Sequence, residues 1–250
     1  MKLISLNVWG GTVHDPLLAF IEEHSLDTDI FCLQEVLKDG KGKTLRNEVK
    51  NLYNKICDIL PDHVGYFSEY GEGGYYSEPS KSLDFKYGIA CFVRSTLKQD
   101  FVAGITLYDL DKKWNDYTGR LAAGAALAIQ VEDYAIINVH GMWQGSIKTD
   151  TEAKIEQSYK ILDLAEKVQG LKVICGDFNM LPNTQAIRIF QDRYTDLIQE
   201  HDIKSTRSSL YTKELKYSDY AFLEKEVPIH NFSVPNIVAS DHLPLFLELE

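Results

Sequence analysis

The sequence has 250 residues, 44% hydrophobic, 25% charged and 11% aromatic, which excludes a disordered or collagen-like chain and leaves enough length for one large core. Its 26 Lys and Arg against 37 Asp and Glu give a net charge of -11, so a phosphate polymer is repelled unless basic groups gather on one face. No charge-free stretch reaches the roughly 20 apolar residues of a bilayer crossing, and Met1-Lys2 runs into Leu3-Ile4-Ser5-Leu6 without the apolar block and cleavage site of a secretory signal; the chain reads as cytoplasmic, with no integral membrane association.

In chain order, Lys2 to Val8 reads as a strand, and Asp15-Pro16 opens a helix over Leu17 to His24, with Asp as N-cap and proline at the first helical position. Asp29 to Leu33 is a second strand, and the spacing of Leu45, Val49, Leu52, Tyr53, Ile56 and Leu60 predicts a second helix. Tyr87 to Val93, Leu121 to Val131 and Tyr134 to Val139 read as strands, the last two joined by a two-residue turn at Glu132-Asp133. A third helix starts at Thr151 and carries Ile155, Tyr159, Leu162 and Ala165, followed by strands at Leu171 to Cys175, Ser218 to Leu223 and Leu243 to Leu249. Strands alternate with helices early and pair with one another in the middle, which points to an α/β or α+β layered domain with mixed sheets. No linker and no internal repeat divides the chain, so residues 1-250 are expected to form a single domain. Cys32, Cys91 and Cys175 sit in apolar runs, and with Cys57 they read as free thiols, mostly buried, rather than disulfides or metal ligands. The histidines at 14, 24, 63, 201 and 230 read as solvated surface residues.

Polar residues fall at the ends of the apolar runs: Asn7, Glu35, His140, Asp177, Asn179, Asp219, Asp241 and His242. Strand ends are where α/β folds gather their sites, although Asn and Asp after a strand are also ordinary turn formers. Carboxylates and histidines of this kind, with no Lys or Arg beside them in sequence, suggest a hard-cation site with oxygen ligands and histidines as proton carriers.

Six motifs carry a resemblance: Leu6-Asn7-Val8-Trp9-Gly10, Leu33-Gln34-Glu35-Val36, Asn138-Val139-His140-Gly141, Gly176-Asp177-Phe178-Asn179, Ser218-Asp219-Tyr220 and Ser240-Asp241-His242-Leu243-Pro244-Leu245. In order and at strand ends, they resemble those of the endonuclease/exonuclease/phosphatase superfamily. The resemblance implies a DNase I-like, four-layer α/β sandwich of two packed mixed sheets flanked by helices, with a divalent-cation site at one rim. Glu35 is the expected first ligand of Mg²⁺, with Mn²⁺ as an alternative, because Mg²⁺ is usually held by one or two carboxylates plus water and substrate phosphate, although alone it would read as a surface carboxylate after a buried strand; the resemblance implies Asn7 and Asp241 completing or orienting that shell. Phosphoester hydrolysis needs a cation for the developing charge, an aligned water and a proton for the leaving oxygen. Asp177 and Asn179 alternate on one extended segment and so face the same way; an Asx turn is the plainer reading. Asp219 is expected to orient His242 and favour its charged form. His140 matches a second histidine found in several branches, and Asp177, His242 and His140 take acid and base roles only as a set.

The superfamily does not name a substrate. Lys38, Lys41, Lys43, Arg46, Lys50 and Lys55 are placed to receive a phosphate chain or to form a solvated helix face. Tyr75 and Tyr76 in a glycine-rich loop, with Trp114, Tyr117 and Trp143, offer stacking surfaces or core packing, and Arg207 is a candidate phosphate clamp. The leading expectation is a Mg²⁺-dependent phosphodiesterase or nuclease acting on nucleic acid or nucleotides. The alternatives are a small-molecule phosphatase, a sphingomyelinase-like lipid phosphodiesterase, and a non-catalytic binding module of the same fold.

Overall fold

Continuous apolar runs make strands here because both faces of each central strand are covered. In the computed structural model, residues 1–44, 46–70, 84–107, 124–145 and 147–250 are described. Their elements begin with β1 (Lys2–Asn7), α1 (His14–Glu23), β2 (Ile30–Lys38), α2 (Leu52–Ile59), β3 (His63–Glu69), β4 (Lys86–Arg94), β5 (Gln99–Thr106), β6 (Ala125–Val131) and β7 (Tyr134–His140). They continue with α3 (Glu152–Glu166), β8 (Leu171–Asp177), α4 (Gln185–Gln191), β9 (Thr195–Asp196), α5 (Leu197–Glu200), β10 (Asp219–Leu223), β11 (Ile229–Ser233) and β12 (Leu245–Leu249).

The strands form two mixed sheets, ordered β11-β12-β1-β2-β4-β3 and β5-β6-β7-β8-β10-β9. Each holds one parallel pair, β1 with β2 and β7 with β8, and is otherwise antiparallel. In β2, Ile30 and Cys32 turn into the core between the sheets, while Phe31 and Leu33 turn outward onto Leu17, Phe20 and Ile21 of α1 and Leu52 and Ile56 of α2. Helices α3 and α4 bury Ile161, Leu164, Ile187 and Phe190 against the other sheet. The result is the expected four-layer DNase I-like sandwich. A buried amide pair, Gln34 Nε2 donating to Asn138 Oδ1 at 2.7 Å, fastens the two sheets together.

The third helix forms where the sequence places it, and its Thr151 Oγ1 accepts from the Lys154 amide as an N-cap. The turn at Glu132-Asp133 joins β6 to β7, with Val131 paired to Tyr134 and Glu132 at φ 51°. Other boundaries differ. Helix α1 starts at His14, ahead of Asp15 and Pro16, because a proline anywhere in the first turn removes only an N–H that has no intrahelical partner. Helix α2 begins at Leu52 rather than near residue 45, which lies outside the described residues. Ahead of it Lys43 pairs with Val49 and Asn47 takes φ 67°, so the apolar spacing there belongs to a folded-back loop. Strands β3, β5, β9 and β11 and helices α4 and α5 carry no clear periodic signal in the sequence, being short or only partly buried.

All four cysteines are free, with Cys32, Cys91 and Cys175 buried and Cys57 half-buried. The described residues contain no helix long and apolar enough to cross a membrane. His201 and His230 are exposed as expected, but three other histidines are half-buried. His63 bonds the Thr28 carbonyl, and burial lowers its pKa; His24 packs edge-on to Phe20 and Phe246; His14 bonds Asp15.

Candidate active site

Register builds one row of the site. His140 ends β7 and Asp177 ends β8, paired to each other in parallel, and Asp219 at the start of β10 pairs with Asp177 from the other side. Three polar side chains are thus brought to one rim of one sheet. Gly176 makes the close approach possible: at φ 135°, any Cβ there would lie 2.0 Å from the Val139 carbonyl oxygen.

The facing sheet supplies Asn7 at the end of β1, Glu35 in β2, and Asp241-His242 just before β12. Glu35 is not at a strand end, as the sequence suggests, because β2 continues to Lys38. Between Leu33, opposite Ala90, and Val36, opposite Gly88, β2 carries one residue more than β4. Glu35 takes φ 58° in this bulge. A bulge re-aims one side chain while the rest of the strand keeps its faces; here Val36 still turns outward and Leu37 inward.

The two rows meet at Asp177. The Asn7 Nδ2 donates to Glu35 Oε1 at 3.1 Å and to Asp177 Oδ2 at 3.0 Å, while Asn7 Oδ1 accepts from the Trp9 amide at 2.9 Å. Glu35 Oε1 and Asp177 Oδ2 each lie 3.7 Å from His140 Nε2. Asp177 Oδ1 accepts from Ser218 Oγ at 2.6 Å and from the Asn179 amide at 2.8 Å. That second bond closes an Asx turn, with Asn179 at φ 54°. The turn, and not strand alternation, brings Asp177 and Asn179 together, and Asn179 Nδ2 donates to the Gly141 carbonyl at 3.0 Å.

On the other side, His242 Nδ1 bonds both Asp219 oxygens at 2.8 and 2.9 Å. Arg207 Nη1 donates to Asp241 Oδ2 at 3.0 Å and contacts His242 Nε2, and its Nη2 donates to Ser218 Oγ at 3.0 Å. The guanidinium also lies 4.3 Å from the centre of the Tyr211 ring. Burial alone would push the Asp177 carboxyl up, but His242, His140, Arg207 and Lys148 outweigh it and hold Asp177 below the ordinary carboxylate range. Burial and Arg207 push His242 down, yet Asp219, Asp241 and Asp177 together leave its pKa raised.

A cleft of about 560 Å³ opens over these groups, lined by Glu35, Asp177, Asn179, Arg207, Asp241 and His242 and by Trp9, Arg46, Trp143, Lys148, Tyr211 and Lys213. A family model described as "Endonuclease/Exonuclease/phosphatase family" matches residues 4–242. The chain belongs to the endonuclease/exonuclease/phosphatase family, whose members hydrolyse phosphate esters. No curated protein matches the sequence. Among solved structures, an endonuclease/exonuclease/phosphatase from Bacteroides vulgatus is 17% identical, with TM-score 0.65 over 100% of this chain and 98% of its own. A mannosyl-6-phosphatase from Bacteroides thetaiotaomicron is 16% identical, with TM-score 0.67 over 100% and 99%. The human Nocturnin catalytic domain with bound sulfate is 16% identical, with TM-score 0.62 over 100% and 93%. At these identities the structural likeness establishes the shared fold.

All eight polar residues singled out at run ends come together at this site, and so does Arg207. Lys41 is exposed and does not line the cleft. Of its basic stretch Arg46 lines the cleft, whereas Lys38 lies over the Tyr53 and Phe67 rings and Lys50 pairs with Asp84 at 2.8 Å. Tyr75, Tyr76, Trp114 and Tyr117 lie outside the described residues. Sequence reasoning missed Tyr70, whose strand it did not find, and Lys148, in a loop with no periodic signal. Lys148 is buried, donates to the Tyr217 carbonyl at 2.9 Å, and is pushed down to about 8 by burial and by Arg207.

Proposed function

We propose that this chain is a divalent-cation-dependent hydrolase of small phosphoesters, a nucleotide or sugar phosphate rather than a polynucleotide, acting in the cytoplasm with residues 1-250 as one catalytic domain. The observation that supports it is the placement of the cationic groups. Arg46, Lys148, Arg207 and Lys213 gather around one cleft of about 560 Å³, within the range of small-molecule sites, while Lys41 lies outside it. The net charge of -11 works against a polyanion, and among the described residues Lys38 and Lys50 of the basic stretch after Glu35 are turned to aromatic rings and to Asp84 rather than to the cleft.

Glu35 and Asp177 offer hard oxygens within 4.8 Å of one another and of His140 Nε2, and Glu35 opens to the cleft. That donor set suits Mg²⁺ or Mn²⁺, which favour carboxylates and keep several waters. Glu35 would hold the ion and Asn7 would orient Glu35 toward it; Asp241 would reach it only with the oxygen that Arg207 leaves free. When bound, the ion neutralises charge developing on the phosphoryl oxygens. Asp177, held ionised, is a weak base and serves to orient the attacking water by accepting its hydrogen bond. His242, with its Nδ1 proton held by Asp219, handles the proton at Nε2. Arg207, released from His242 by the incoming phosphoryl group, clamps it with the guanidinium fork.

Hydrolysis of a panel holding a mononucleotide, a sugar phosphate, single-stranded DNA and sphingomyelin, with EDTA and after Mg²⁺ or Mn²⁺ is restored, tests the reading. Activity on the small esters should vanish in EDTA and return with the ion. Undiminished activity in EDTA, or polynucleotide cleavage that exceeds small-ester cleavage and falls steeply with salt, would overturn it.

A further inference from the structure

Tyr70 follows the last residue of β3, is 2% exposed, and no family motif in the sequence includes it. Its hydroxyl oxygen accepts from the Glu35 amide at 3.1 Å and lies 2.5 Å from His140 Nδ1. The Glu35 N–H has one hydrogen, and it is spent on Tyr70. The phenol has one hydrogen of its own, and His140 Nδ1 is the one acceptor within reach of it among the described residues. A His140 protonated at Nδ1, alone or at both nitrogens, would send a second donor at the phenol oxygen and leave the phenol hydrogen buried without an acceptor.

We propose that Tyr70 fixes His140 in the Nε2–H tautomer, so that this ring donates a hydrogen bond to the phosphoryl group and is not a ligand of the cation. The groups facing Nε2 agree. Glu35 Oε1 and Asp177 Oδ2, at 3.7 Å each, suit an N–H and would repel a lone pair. The opposing contact is Asn179 Nδ2, 3.3 Å from Nε2. That amide nitrogen carries two hydrogens, one of which is donated to the Gly141 carbonyl at the better distance of 3.0 Å. One long nitrogen–nitrogen contact weighs less than a stranded phenol hydrogen together with a lone pair set before two carboxylates. A phenol, with an ordinary pKa of about 10, keeps at neutral pH the hydrogen this arrangement needs.

Tyr70 is therefore a positioning residue. The same hydroxyl holds the bulge amide that aims Glu35 and the ring nitrogen that sets His140. Only the catalytic consequence rests on the hydrolase reading; the tautomer itself does not.

The test is nitrogen NMR of the full chain carrying ¹⁵N-labelled histidine, with His140 assigned by its loss in His140→Gln. The metal-free protein should show Nδ1 unprotonated and Nε2 protonated, unchanged on adding Mg²⁺. A proton on Nδ1, or an Nε2 that loses its proton when Mg²⁺ is added, overturns the proposal. Tyr70→Phe keeps the ring and removes one oxygen. It should populate the Nδ1–H tautomer and lower kcat by roughly 10- to 100-fold with KM near that of the parent, the scale of losing a bond that orients a functional group. An unchanged tautomer in Tyr70→Phe overturns the role of Tyr70. The spectrum is read without substrate, so a failure of the hydrolase reading leaves it standing.

Discussion

The two halves of the site, which share Asp177, are built on different charge balances. Around Asp219 and Asp241 the protein supplies its own cations: the imidazole of His242 spans toward both carboxylates, and the Arg207 guanidinium closes on Asp241, His242 and Ser218. Around Glu35 the Asn7 amide bonds the carboxylate and the Tyr70 hydroxyl bonds the main chain, while the His140 imidazole stands off at 3.7 Å. The compensated half is the richer in acids, Asp219 and Asp241 against Glu35, so acidity alone does not say where an external cation belongs. The compensated half is equipped to hold and pass a proton; the uncompensated half is where a divalent ion gains most.

The division of labour is open to a direct break. His242→Ala and Asp219→Asn, on the compensated side, are expected to cost on the order of 10² to 10⁴ in kcat, the scale of general acid–base catalysis and its support, while calorimetry shows Mg²⁺ affinity close to that of the parent. Glu35→Gln is expected to do the reverse in binding, weakening Mg²⁺ by roughly 10- to 100-fold or more along with activity. If His242→Ala loosened Mg²⁺ as much as Glu35→Gln, the ion would sit in the wrong half of this picture.

Much of this arrangement is legible in the sequence, because strand ends and motif order survive without knowledge of pairing. Asn7, His140, Asp177, Asp219 and His242 can be picked out as residues at the ends of apolar runs, and register then places three of them side by side. Glu35 is found for an incomplete reason. Its φ of 58° and the extra residue in β2 are invisible to periodicity, since Val36 and Leu37 continue the apolar run as though nothing had intervened. The Lys38 to Lys55 stretch misleads in the opposite sense. Its charges are close in sequence, but Lys38 lies on aromatic rings and Lys50 on Asp84, so only Arg46 of the group lines the cleft. Tyr70 and Lys148 carry no local signal at all, because what makes them part of the site is which strand end and which carbonyl they face.

Arg207 sharpens the comparison at a smaller scale. The residue is 8% exposed, and its guanidinium contacts Asp241, His242 and Ser218 of the compensated half. Arg207→Lys keeps a positive charge but loses the planar fork, so it is expected to lower kcat/KM by roughly 10-fold, the order of 1.4 kcal/mol, chiefly through KM. Arg207→Ala should lose more, because it also removes one of the charges that hold the Asp177 carboxyl down, and it should bind inorganic phosphate more weakly in calorimetry. An Arg207→Lys protein with parental KM for the small ester would remove the clamp from the proposed chemistry and leave Arg207 as internal charge compensation for Asp241.

The smallest expected effect lies beneath the boundary between the halves. Lys154 is fully buried in α3, and its Nζ donates to the Asn179 carbonyl at 3.0 Å and to the Ile147 carbonyl at 2.6 Å, so a cation braces the turn that carries Asn179. Burial, and then Lys148, push its pKa from 10.5 down to about 8. Below about pH 8 the group is protonated both folded and unfolded, and it adds no pH dependence. Above that value the folded protein gives up the proton while the unfolded chain still holds it, so the unfolded state binds more protons and stability rises with pH. Lys148, also pushed down to about 8, contributes in the same direction. The Cys32 and Cys57 thiols, raised in the folded protein from an ordinary value of 9.0, oppose this from about that pH, and the buried phenols of Tyr70, Tyr87 and Tyr220, raised by burial, oppose it near the ordinary tyrosine value of about 10 and above, which confines the useful window to the interval between about 8 and 9. Denaturant melts at closely spaced pH values across that interval should show the parent gaining stability, and Lys154→Gln, which keeps a donor for the two carbonyls but has no proton to release, gaining less. Equal slopes in the two proteins would mean that Lys154 keeps its charge through this range and that the brace under Asn179 is an ion held by its two carbonyls.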